Sequence, residues 1–462
     1  MLFKTQPANA GLNIIIVGCG KVGSTLVERL TGEGHDVTII DEDAERIQEL
    51  ADYYDVMGIV GNGASHSIQE EAGIQNAHLF IAVTESDELN LLCCIIAKQD
   101  SDCSTIARIR TPDYIKDASY LCERLGLAMV INPELEASRE VARLLYLPAA
   151  LEINSFGHGK VELIKIKIAE DNLLAGLTIV EFSKRYSSNI LICAIERNGE
   201  VFIPSGNSHI EQGDMISFLG SREDAAGFLS TIGFQTHKVK NTIIIGGGKA
   251  SYYLAKQLLQ MGIDVKIIEQ NRKRCEELSI LLPKAIIING DGTDQELLVE
   301  EGIDHIESFV PLTGIDEENI MLTLYARQVS DAKVITKINR MTFKNVIDQL
   351  ELGSVFFPRY ITAEKITAYV RAKKASINSN VETLYHMFDS KAEAIEFRVN
   401  ERSEVTNIPL MDLPLKKNLL VACIIRNGLP IIPTGRDDIQ IGDTVMIVTT
   451  HTGFNDLQDI LA

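Results

Sequence analysis

Short runs of apolar residues alternate with amphipathic segments over the first third of the chain, and Ile14 to Val17 is the first of these runs. Runs rich in Val and Ile between amphipathic helices are typical of a parallel sheet with helices on both faces. The pattern predicts strands near 13–17, 36–40, 57–60, 78–83, 105–109 and 128–131, and helices near 21–32, 43–53, 64–72, 86–99, 112–124 and 134–146.

After about residue 150 the pattern changes to shorter runs in which apolar and polar residues alternate. Such alternation is typical of strands that have one buried face. This stretch is therefore expected to form a small, mostly β domain that ends in a single helix. The predicted strands lie near 161–168, 189–195, 201–204 and 214–219, and the helix at 222–232.

The whole pattern then begins again. Gly18 and Asp41 have counterparts in Gly246 and Glu269, each 228 residues further along the chain. The segment Thr84-x-x-Asp-Glu-x-Asn recurs at an offset of 229, as do Arg-Asn-Gly, Ile-Pro-x-Gly and Gly-Asp in the small domain. This near-constant register indicates a tandem duplication of a two-domain unit.

The predicted fold class is α/β, with tandem duplication of a Rossmann-like, doubly wound parallel sheet domain that is followed each time by a small α+β domain. The expected division is an N-terminal tail at 1–12, Rossmann-like domains at 13–150 and 240–375, and small α+β domains at 151–235 and 376–462.

A glycine motif joins the first strand to the first helix. Gly18 allows a tight turn, Gly20 lets a pyrophosphate approach the backbone, and Gly23 allows the helix to pack against the strand. The helix start offers free N–H groups and a partial positive charge to phosphates. We therefore expect Gly18, Cys19, Gly20, Lys21, Val22 and Gly23 to bind a nucleotide, Cys19 and Lys21 mainly through their backbone.

An acidic residue, Asp41, closes the second strand 23 positions after Gly18. A carboxylate there is placed to accept hydrogen bonds from ribose hydroxyls and to repel a 2′-phosphate. The sequence therefore predicts NAD(H) as the cofactor, with ATP or ADP as alternative adenine ligands.

Polar residues also follow the later strands of the first predicted sheet. Thr84 and Glu85 come after the fourth strand, where nucleotide contact and a capping box, Thr84-x-x-Asp87, are both open explanations. Arg108 closes the fifth strand and could grip phosphate oxygens with two N–H groups. Asn62 follows the third strand and either contacts the adenosine or simply forms a turn.

The second copy repeats these positions with changes. In the second copy Ser251 replaces the third glycine of the loop. Lys337 replaces Arg108, so the bidentate hydrogen bonding of a guanidinium to phosphate is lost. We expect the second pocket to bind more weakly or to prefer another adenine nucleotide. Its candidate residues are Gly246, Gly247, Gly248, Lys249, Ala250, Glu269, Asp291, Thr313 and Lys337.

The small domains show no repeated ionisable cluster in the sequence, and their Gly213-Asp214 and Gly442-Asp443 pairs look like hairpin turns.

Charge and composition narrow the function classes. The formal net charge is −20, from 44 Lys and Arg against 64 Asp and Glu, which disfavours binding to nucleic acid or to an anionic membrane surface. The eight cysteines and nine histidines form no metal-ligand spacing, so no metal site is expected. No apolar run approaches the roughly 20 residues that span a bilayer. These features favour a cytoplasmic protein.

The ordered set of motifs resembles the TrkA family, the peripheral nucleotide-binding subunits of Trk potassium-uptake systems. The resemblance is carried by Gly18-Cys-Gly-Lys-Val-Gly23, Ala82-Val-Thr-Glu-Ser-Asp-Glu-Leu-Asn90 and Ala107-Arg-Ile-Arg-Thr-Pro-Asp-Tyr114, each within a duplicated frame. It implies two units that regulate K⁺ conductance (RCK units), NAD(H) or adenine nucleotide binding, and a homo-oligomer, four chains in a ring. It also implies a membrane-embedded channel partner of the TrkH or TrkG type and a position at the inner face of the membrane.

Three functions remain open on the residues alone: a ligand-gated regulator, an NAD-dependent dehydrogenase and a nucleotide-sensing transcription regulator. A dehydrogenase needs an acid or base near the nicotinamide, and the small domains of about 80 residues offer no such pair. A transcription regulator needs a basic recognition helix, and none is apparent. The regulator is therefore the expected function, with the dehydrogenase as its alternative.

Overall fold

The computed structural model describes residues 11–157, 159–169, 172–186, 189–234, 238–340, 344–350, 352–378, 380–388 and 391–462. Most of the predicted N-terminal tail, residues 1–10, lies outside the described residues.

The first Rossmann-like domain is a six-stranded parallel sheet in the order β3-β2-β1-β4-β5-β6. The apolar runs form its buried strands because both faces are covered by helices. Its strands are β1 (Asn13–Val17), β2 (Asp36–Asp41), β3 (Val56–Val60), β4 (Leu79–Ala82), β5 (Ser104–Arg108) and β6 (Met129–Ile131). Its helices are α1 (Lys21–Gly32), α2 (Ala44–Tyr53), α3 (His66–Glu71), α4 (Asp87–Asp100), α5 (Pro112–Lys116), α6 (Ala118–Leu125) and α7 (Pro133–Tyr146), with a 3₁₀ turn at Ile74–Asn76.

The first small domain is a five-stranded antiparallel sheet in the order β10-β9-β11-β8-β7. Its strands are β7 (Glu152–Phe156), β8 (Val161–Lys167), β9 (Leu191–Arg197), β10 (Glu200–Phe202) and β11 (Met215–Gly220), and its helices are α8 (Ile179–Arg185) and α9 (Arg222–Thr231). The predicted helix at the end of this domain is α9, and the structure adds α8, which the sequence analysis did not predict and which begins with a capping box between Thr178 and Glu181.

The second half repeats both sheets, and the predicted tandem α/β fold is confirmed. The second parallel sheet has the order β14-β13-β12-β15-β16-β17, and the second small sheet has the order β18-β19-β22-β20-β21. The parallel strands are β12 (Asn241–Ile245), β13 (Asp264–Glu269), β14 (Ile286–Asn289), β15 (Ser308–Pro311), β16 (Lys333–Lys337) and β17 (Ser354–Phe356). The helices are α10 (Lys249–Gln260), α11 (Arg272–Leu281), α12 (Gln295–Glu300), α13 (Asp316–Val329), α14 (Lys344–Ile347) and α15 (Pro358–Asn378). The small-domain strands are β18 (Val381–Met387), β19 (Ala392–Arg398), β20 (Leu419–Arg426), β21 (Leu429–Ile431) and β22 (Thr444–Thr449), and 3₁₀ turns lie at Asp348–Leu350, Leu410–Asp412 and Leu457–Ile460.

The last helix of each Rossmann-like domain packs on the other one. Helix α7 lies against α10, where the Nδ2 of Asn132 donates to the hydroxyl of Tyr253 at 3.1 Å. Helix α15 lies against α1, and its Ala363, Ile366 and Val370 belong to the apolar core of the first domain. The two halves are therefore one interlocked body, and each sheet is completed by a helix from the other half.

The two small domains also share a core. Apolar residues of β7 and β8 pack with those of β18 and β19, and the buried carboxylate of Glu396 accepts a hydrogen bond from the backbone N–H of Gly157 at 2.7 Å. Burying these faces against each other stabilises the tandem arrangement of the chain.

Candidate functional site

A cavity of about 780 Å³ opens at the carboxyl ends of β1, β2, β4 and β5. In the strand order β2-β1-β4 the chain reverses direction across the sheet, and ligands of doubly wound sheets bind at such a switch point. We call this cavity, with its glycine loop 18–23, the first cradle, and we call the equivalent glycine loop and strand ends of the second repeat the second cradle. Of the predicted residues, those that line the cavity are Gly18, Cys19, Gly20, Lys21, Val22, Asp41, Thr84, Glu85 and Arg108.

The glycine loop is shaped by close backbone contacts. Gly18 has a φ of +101°, which glycine adopts most readily, and a Cβ at Gly23 would lie 1.8 Å from the carbonyl oxygen of Gly18. Gly23 therefore belongs to the helix–strand packing and does not line the cavity. A Cβ at Gly20 would meet no atom within 4 Å, so this side of the loop is open to a ligand.

Helix α1 begins without a side-chain cap. Gly20 precedes it, and its first turn contains no acidic residue. By contrast, α2, α4 and α7 are capped by Asp43, Ser86 and Asn132. The first N–H groups of α1 thus keep their capacity to bind an anion.

Asp41 organises the loop. Its Oδ2 accepts a hydrogen bond from the backbone N–H of Cys19 at 2.6 Å, and its Oδ1 accepts one from Asp43 at 2.9 Å. Each carboxylate oxygen retains a further acceptor site that a ribose hydroxyl can use. Burial and the neighbouring Asp41 raise the pKa of the Cys19 thiol to about 12, so this thiol stays protonated and is a poor nucleophile.

The turn after β4 is held by Asn90. Its Oδ1 accepts hydrogen bonds from the N–H and the hydroxyl of Thr84, and its Nδ2 donates to the carbonyl of Arg108 at 2.9 Å. The suggested capping box was wrong, because Ser86 caps α4 while Asp87 accepts hydrogen bonds from the N–H groups of residues 110 and 111. The turns after β4 and β5 are thereby fixed to each other.

Arg108 brings a partly buried cation to the cavity. Its Nη1 donates to the carbonyl of Thr84 at 3.4 Å, its Nη2 lies 3.8 Å from Glu134, and its Nε is buried without a partner. Burial lowers the pKa of the Arg108 guanidinium, although Glu134 opposes this shift. A buried donor without a partner is costly, and a phosphate oxygen would satisfy it.

The cavity also has lining residues that the sequence argument did not select for binding. Arg110 lines it and donates from its guanidinium to the carbonyl of Glu85. Asn62 does not line it; its Oδ1 accepts a hydrogen bond from the N–H of Ala64 at 2.8 Å, which forms a turn. The additional charged lining residues are Glu42, Arg46, Glu49, Arg110 and Arg359.

The second cradle repeats the hydrogen bond between an acid and the glycine loop, but a different side chain contacts the loop. Glu269 accepts a hydrogen bond from the N–H of Gly247 at 2.6 Å, as Asp41 does in the first repeat. The Nε of Arg274 donates to the carbonyl of Gly247 at 2.7 Å, so a guanidinium lies on the glycine loop. The equivalent Arg46 instead pairs with Asp43 and is more than half exposed.

The remaining candidates of the second cradle lie in the first turn of α10 and in the turns that follow β12 and β14. Helix α10 begins at Lys249 after Gly248, again without a side-chain cap, and Gly246 has a φ of +94°. Ala250 lies in the first turn of this helix, and the side chain of Asp291 accepts hydrogen bonds within its own turn.

Lys337 replaces Arg108 at the end of β16. Its Nζ donates to the carbonyl of Thr313 at 3.1 Å, and burial lowers its pKa. The Thr313 turn itself is held by Asn319, as its counterpart is by Asn90. A single ammonium offers a phosphate less than a guanidinium does.

The small domains contain a repeated ion pair that the sequence analysis missed. Arg197 donates through Nε and Nη2 to the buried Asp214, both at 2.8 Å. Arg426 makes the equivalent pair with Asp443. The Gly-Asp segments are therefore anchors for an arginine from β9 or β20, and the common offset of 229 residues was the available signal.

The described residues contain no group of three or more His, Cys, Asp or Glu side chains arranged to hold a metal ion. Within the same residues, no helix combines the length and apolar character needed to cross a bilayer.

Comparison with known families finds two matching domain models. The model of the TrkA-N domain matches residues 14–133 and 242–358, and that of the TrkA-C domain matches residues 163–233. The two TrkA-N matches coincide with the two parallel sheets described above.

Similar proteins extend over nearly the whole chain. The Trk system potassium uptake protein TrkA homolog 1 of Methanosarcina mazei is 30% identical over 455 residues, which is 97% of this chain and 99% of that protein. The TrkA protein of Haemophilus influenzae is 31% identical over 443 residues, 94% of this chain and 95% of its own length.

Among solved structures, the GsuK channel bound to NAD aligns with a TM-score of 0.62 at 18% identity and covers 96% of this chain and 78% of that one. The GsuK RCK domain aligns with the same TM-score and identity and covers 96% and 93%. At this identity the likeness shows a shared fold.

Proposed function

The chain belongs to the TrkA family of Trk system potassium uptake proteins, and from this premise we propose that it is a nucleotide-gated regulatory subunit of potassium uptake. The family is a regulatory one, so the chain regulates potassium transport and is not an enzyme. The family resemblance of the sequence motifs is thereby confirmed. The proposal concerns the nucleotide, the gating and the partner.

The observation that carries the proposal is the first cradle. Its volume of about 780 Å³ lies in the range of cofactor sites, and it joins an uncapped helix start, a carboxylate at the second strand and the cation Arg108. These groups complement the phosphates and ribose of NAD(H), or of ATP or ADP. The placement of Gly18–Val22, Asp41, Thr84, Glu85 and Arg108 around one cavity supports these residues as the nucleotide ligands.

The gating follows from unequal affinities of a nucleotide for two arrangements of the lobes, which are the Rossmann-like and the small domains. NADH and NAD⁺ differ by about one charge, as do ATP and ADP. The electrostatic interaction with the cations of the cradle therefore differs between the members of each pair. A nucleotide shifts the conformational equilibrium only by its difference in affinity between the two states, and couplings of about 1–3 kcal/mol are typical. Because α7 and α15 each join both halves, a change at one cradle acts on the other half.

The second cradle is proposed to bind an adenine nucleotide more weakly. Arg274 lies on its glycine loop, and Lys337 offers one donor group where Arg108 offers a guanidinium. A nucleotide entering there must displace Arg274, which reduces the net affinity. Gly246–Ala250, Glu269, Asp291 and Thr313 are its proposed surroundings.

The partner is proposed to be a membrane-embedded channel of the TrkH or TrkG type. The names of the similar proteins place them in Trk potassium uptake, and such a subunit would act on the inner face of the cell membrane. In a homo-oligomeric ring of four chains, each chain would contribute its own nucleotide sites to the assembly with the partner. The acidic chain disfavours nucleic acid as a ligand.

A dehydrogenase is the function to be separated from this one by experiment. The described residues that line the first cradle include no histidine, and the thiol of Cys19 is held protonated. A hydride-transfer site needs an acid or base that exchanges protons near neutral pH.

Calorimetric titration of the full chain with NAD⁺, NADH, ATP and ADP tests the proposal. We expect binding of at least one nucleotide, at least tenfold weaker in Arg108→Ala, with no loss in the exposed control Arg436→Ala. Absorbance of NADH should stay constant over hours with a broad set of carbonyl compounds. Failure to bind any of the four ligands, or steady consumption of NADH, would contradict the proposal.

A further inference from the structure

One cation of the first cradle comes from the opposite half of the chain. Arg359, the second residue of α15, lines the cavity together with the glycine loop. Its Nε is buried and has no hydrogen-bond partner, and no carboxylate of the described residues pairs with it. The ring of Tyr360 lies 5.0 Å from its guanidinium, which supports the side chain without neutralising it.

The direction of α15 points its first turn, which contains Arg359, toward the N-terminal end of α1. Further along this helix, Glu364 pairs with Arg29 and Arg371 pairs with Glu33. Both helices therefore run in the same direction, and the ring of Tyr360 in the first turn of α15 lies 5.5 Å from the guanidinium of Arg29 in α1. Arg359 lines the same cavity as Lys21 and Ser24 in the first turn of α1, where free N–H groups would meet nucleotide phosphates.

The repeat equivalent of Arg359 has the opposite charge. Helix α7 begins with Pro133-Glu134 and α15 begins with Pro358-Arg359. An acid in the first turn is favoured by the helix dipole, and a cation there is disfavoured. Helix stability alone therefore explains Glu134 and does not explain Arg359, whereas an anion bound in the first cradle does.

We propose that Arg359 binds the phosphate groups of the nucleotide in the first cradle, as a ligand supplied across the molecule by the second half. This inference rests on the proposed function and extends it. A nucleotide held by α1 and by Arg359 joins the two halves at one point. Arg371 of the same helix donates to the carbonyl of Leu384 in β18 at 3.1 Å, so the helix that carries the ligand also contacts the second small domain.

Calorimetric titrations with NADH, ADP and adenosine test this role in the full chain. Arg359→Ala should weaken NADH and ADP at least tenfold, because a charge-assisted hydrogen bond to phosphate is lost. Adenosine has no phosphate and should bind as in the wild type. Arg359→Lys should fall between wild type and Arg359→Ala, and Arg359→Glu should bind the phosphate ligands most weakly.

A matched control lies on the same helix. Lys365 pairs with Glu136 and does not line the cavity, so Lys365→Ala should leave all three affinities unchanged. Thermal melting of each ligand-free variant checks folding, and Arg359→Gln, which keeps the length of the side chain, replaces any variant that does not fold.

Two outcomes overturn the inference and one overturns its premise. Wild-type affinity for NADH and ADP in Arg359→Ala would show that Arg359 is not a ligand, while the proposed function would stand. An equal loss for adenosine and ADP would show that Arg359 only shapes the cradle, which also rejects the inference. If the wild-type chain bound none of NAD⁺, NADH, ATP and ADP, the proposed function itself would fail.

Discussion

A methyl group at Gly23 should displace the glycine loop of the first cradle. The Cβ of Gly23→Ala would lie 1.8 Å from the carbonyl oxygen of Gly18, whereas non-bonded heavy atoms prefer about 3.5 Å. The loop or the helix must therefore move by well over 1 Å. Overpacking of this kind costs about 1–3 kcal/mol, so a fall of several degrees in melting temperature is expected.

The same displacement moves the phosphate-binding N–H groups. Loss of one hydrogen bond to a charged group, about 1.5–3 kcal/mol, corresponds to roughly a ten- to hundredfold rise in the dissociation constant for NADH. The assay is calorimetric titration of the full chain, paired with thermal melting without ligand. Gly23→Ala should change both quantities.

Two variants separate steric strain in the loop from contact with the ligand. A Cβ at Gly20 meets nothing within 4 Å, so Gly20→Ala should melt like the wild type but bind NADH more weakly. Ser251 occupies the position of Gly23 in the second repeat and does not line the first cradle. Ser251→Gly should therefore leave NADH binding at the first cradle unchanged. Unchanged melting and unchanged affinity in Gly23→Ala would refute the reasoning.

Three further changes have defined outcomes. Asp41→Asn replaces one carboxylate oxygen with an NH₂ group that cannot accept a hydrogen bond, so titration should show about tenfold weaker NADH binding and a smaller preference for NADH over NADPH. Arg274→Ala clears the second glycine loop, so ADP should bind the second cradle more tightly by titration, while Arg46→Ala should have no such effect. Burial raises the pKa of the Glu393 carboxyl from 4.5 to about 7, so the folded chain binds the carboxyl proton more tightly than the unfolded chain does. The resulting stabilisation of the fold is complete below pH 4.5 and is lost as pH rises to about 7. Glu393→Gln should therefore reduce the fall in melting temperature between pH 5.5 and 8.

Each of these expectations can fail separately. An unchanged NADPH-to-NADH ratio in Asp41→Asn would remove the carboxylate from the ribose site. Unchanged ADP binding in Arg274→Ala would mean that this guanidinium does not obstruct the second cradle. A melting curve of Glu393→Gln with the same pH dependence as the wild type would show that the proton is held elsewhere.

The local part of the fold could be predicted from the sequence because its signals are local. The run Asn13–Val17 and the helix Lys21–Gly32 have the predicted bounds, since a buried parallel strand and an amphipathic helix each leave a strong pattern. The predicted helix 112–124 is two helices, because the backbone at Asp117 leaves the helical conformation. Helix α8 was missed although Thr178 and Glu181 form a readable capping box.

The cross-molecular part of the site could not be predicted in this way. Gly18–Val22, Asp41, Thr84 and Arg108 follow strands of one sheet, so the rule for strand ends brings them together. Arg359 is far away in sequence and reaches the first cradle only because α15 packs on the opposite half. The spacing of residues along the sequence does not indicate that α15 packs on the opposite half.

The side-chain contacts in the second cradle could not be predicted from the sequence either. Arg46 and Arg274 occupy equivalent positions, yet one pairs with Asp43 at the surface and the other donates to the loop carbonyl. Which of the two contacts forms depends on neighbouring side chains and on the space around Gly247, and a residue type does not encode either.

Potassium uptake in cells that contain only an Arg108→Ala form of the chain tests the central claim most directly. The rate of radioactive rubidium entry is compared with that of cells carrying the wild type or the control Arg436→Ala. The account predicts that Arg108→Ala changes the rate by roughly fivefold or more, in line with the usual size of allosteric coupling, while the control matches the wild type. Wild-type uptake by a variant that titration shows to have lost its nucleotide would contradict control of transport by nucleotide binding.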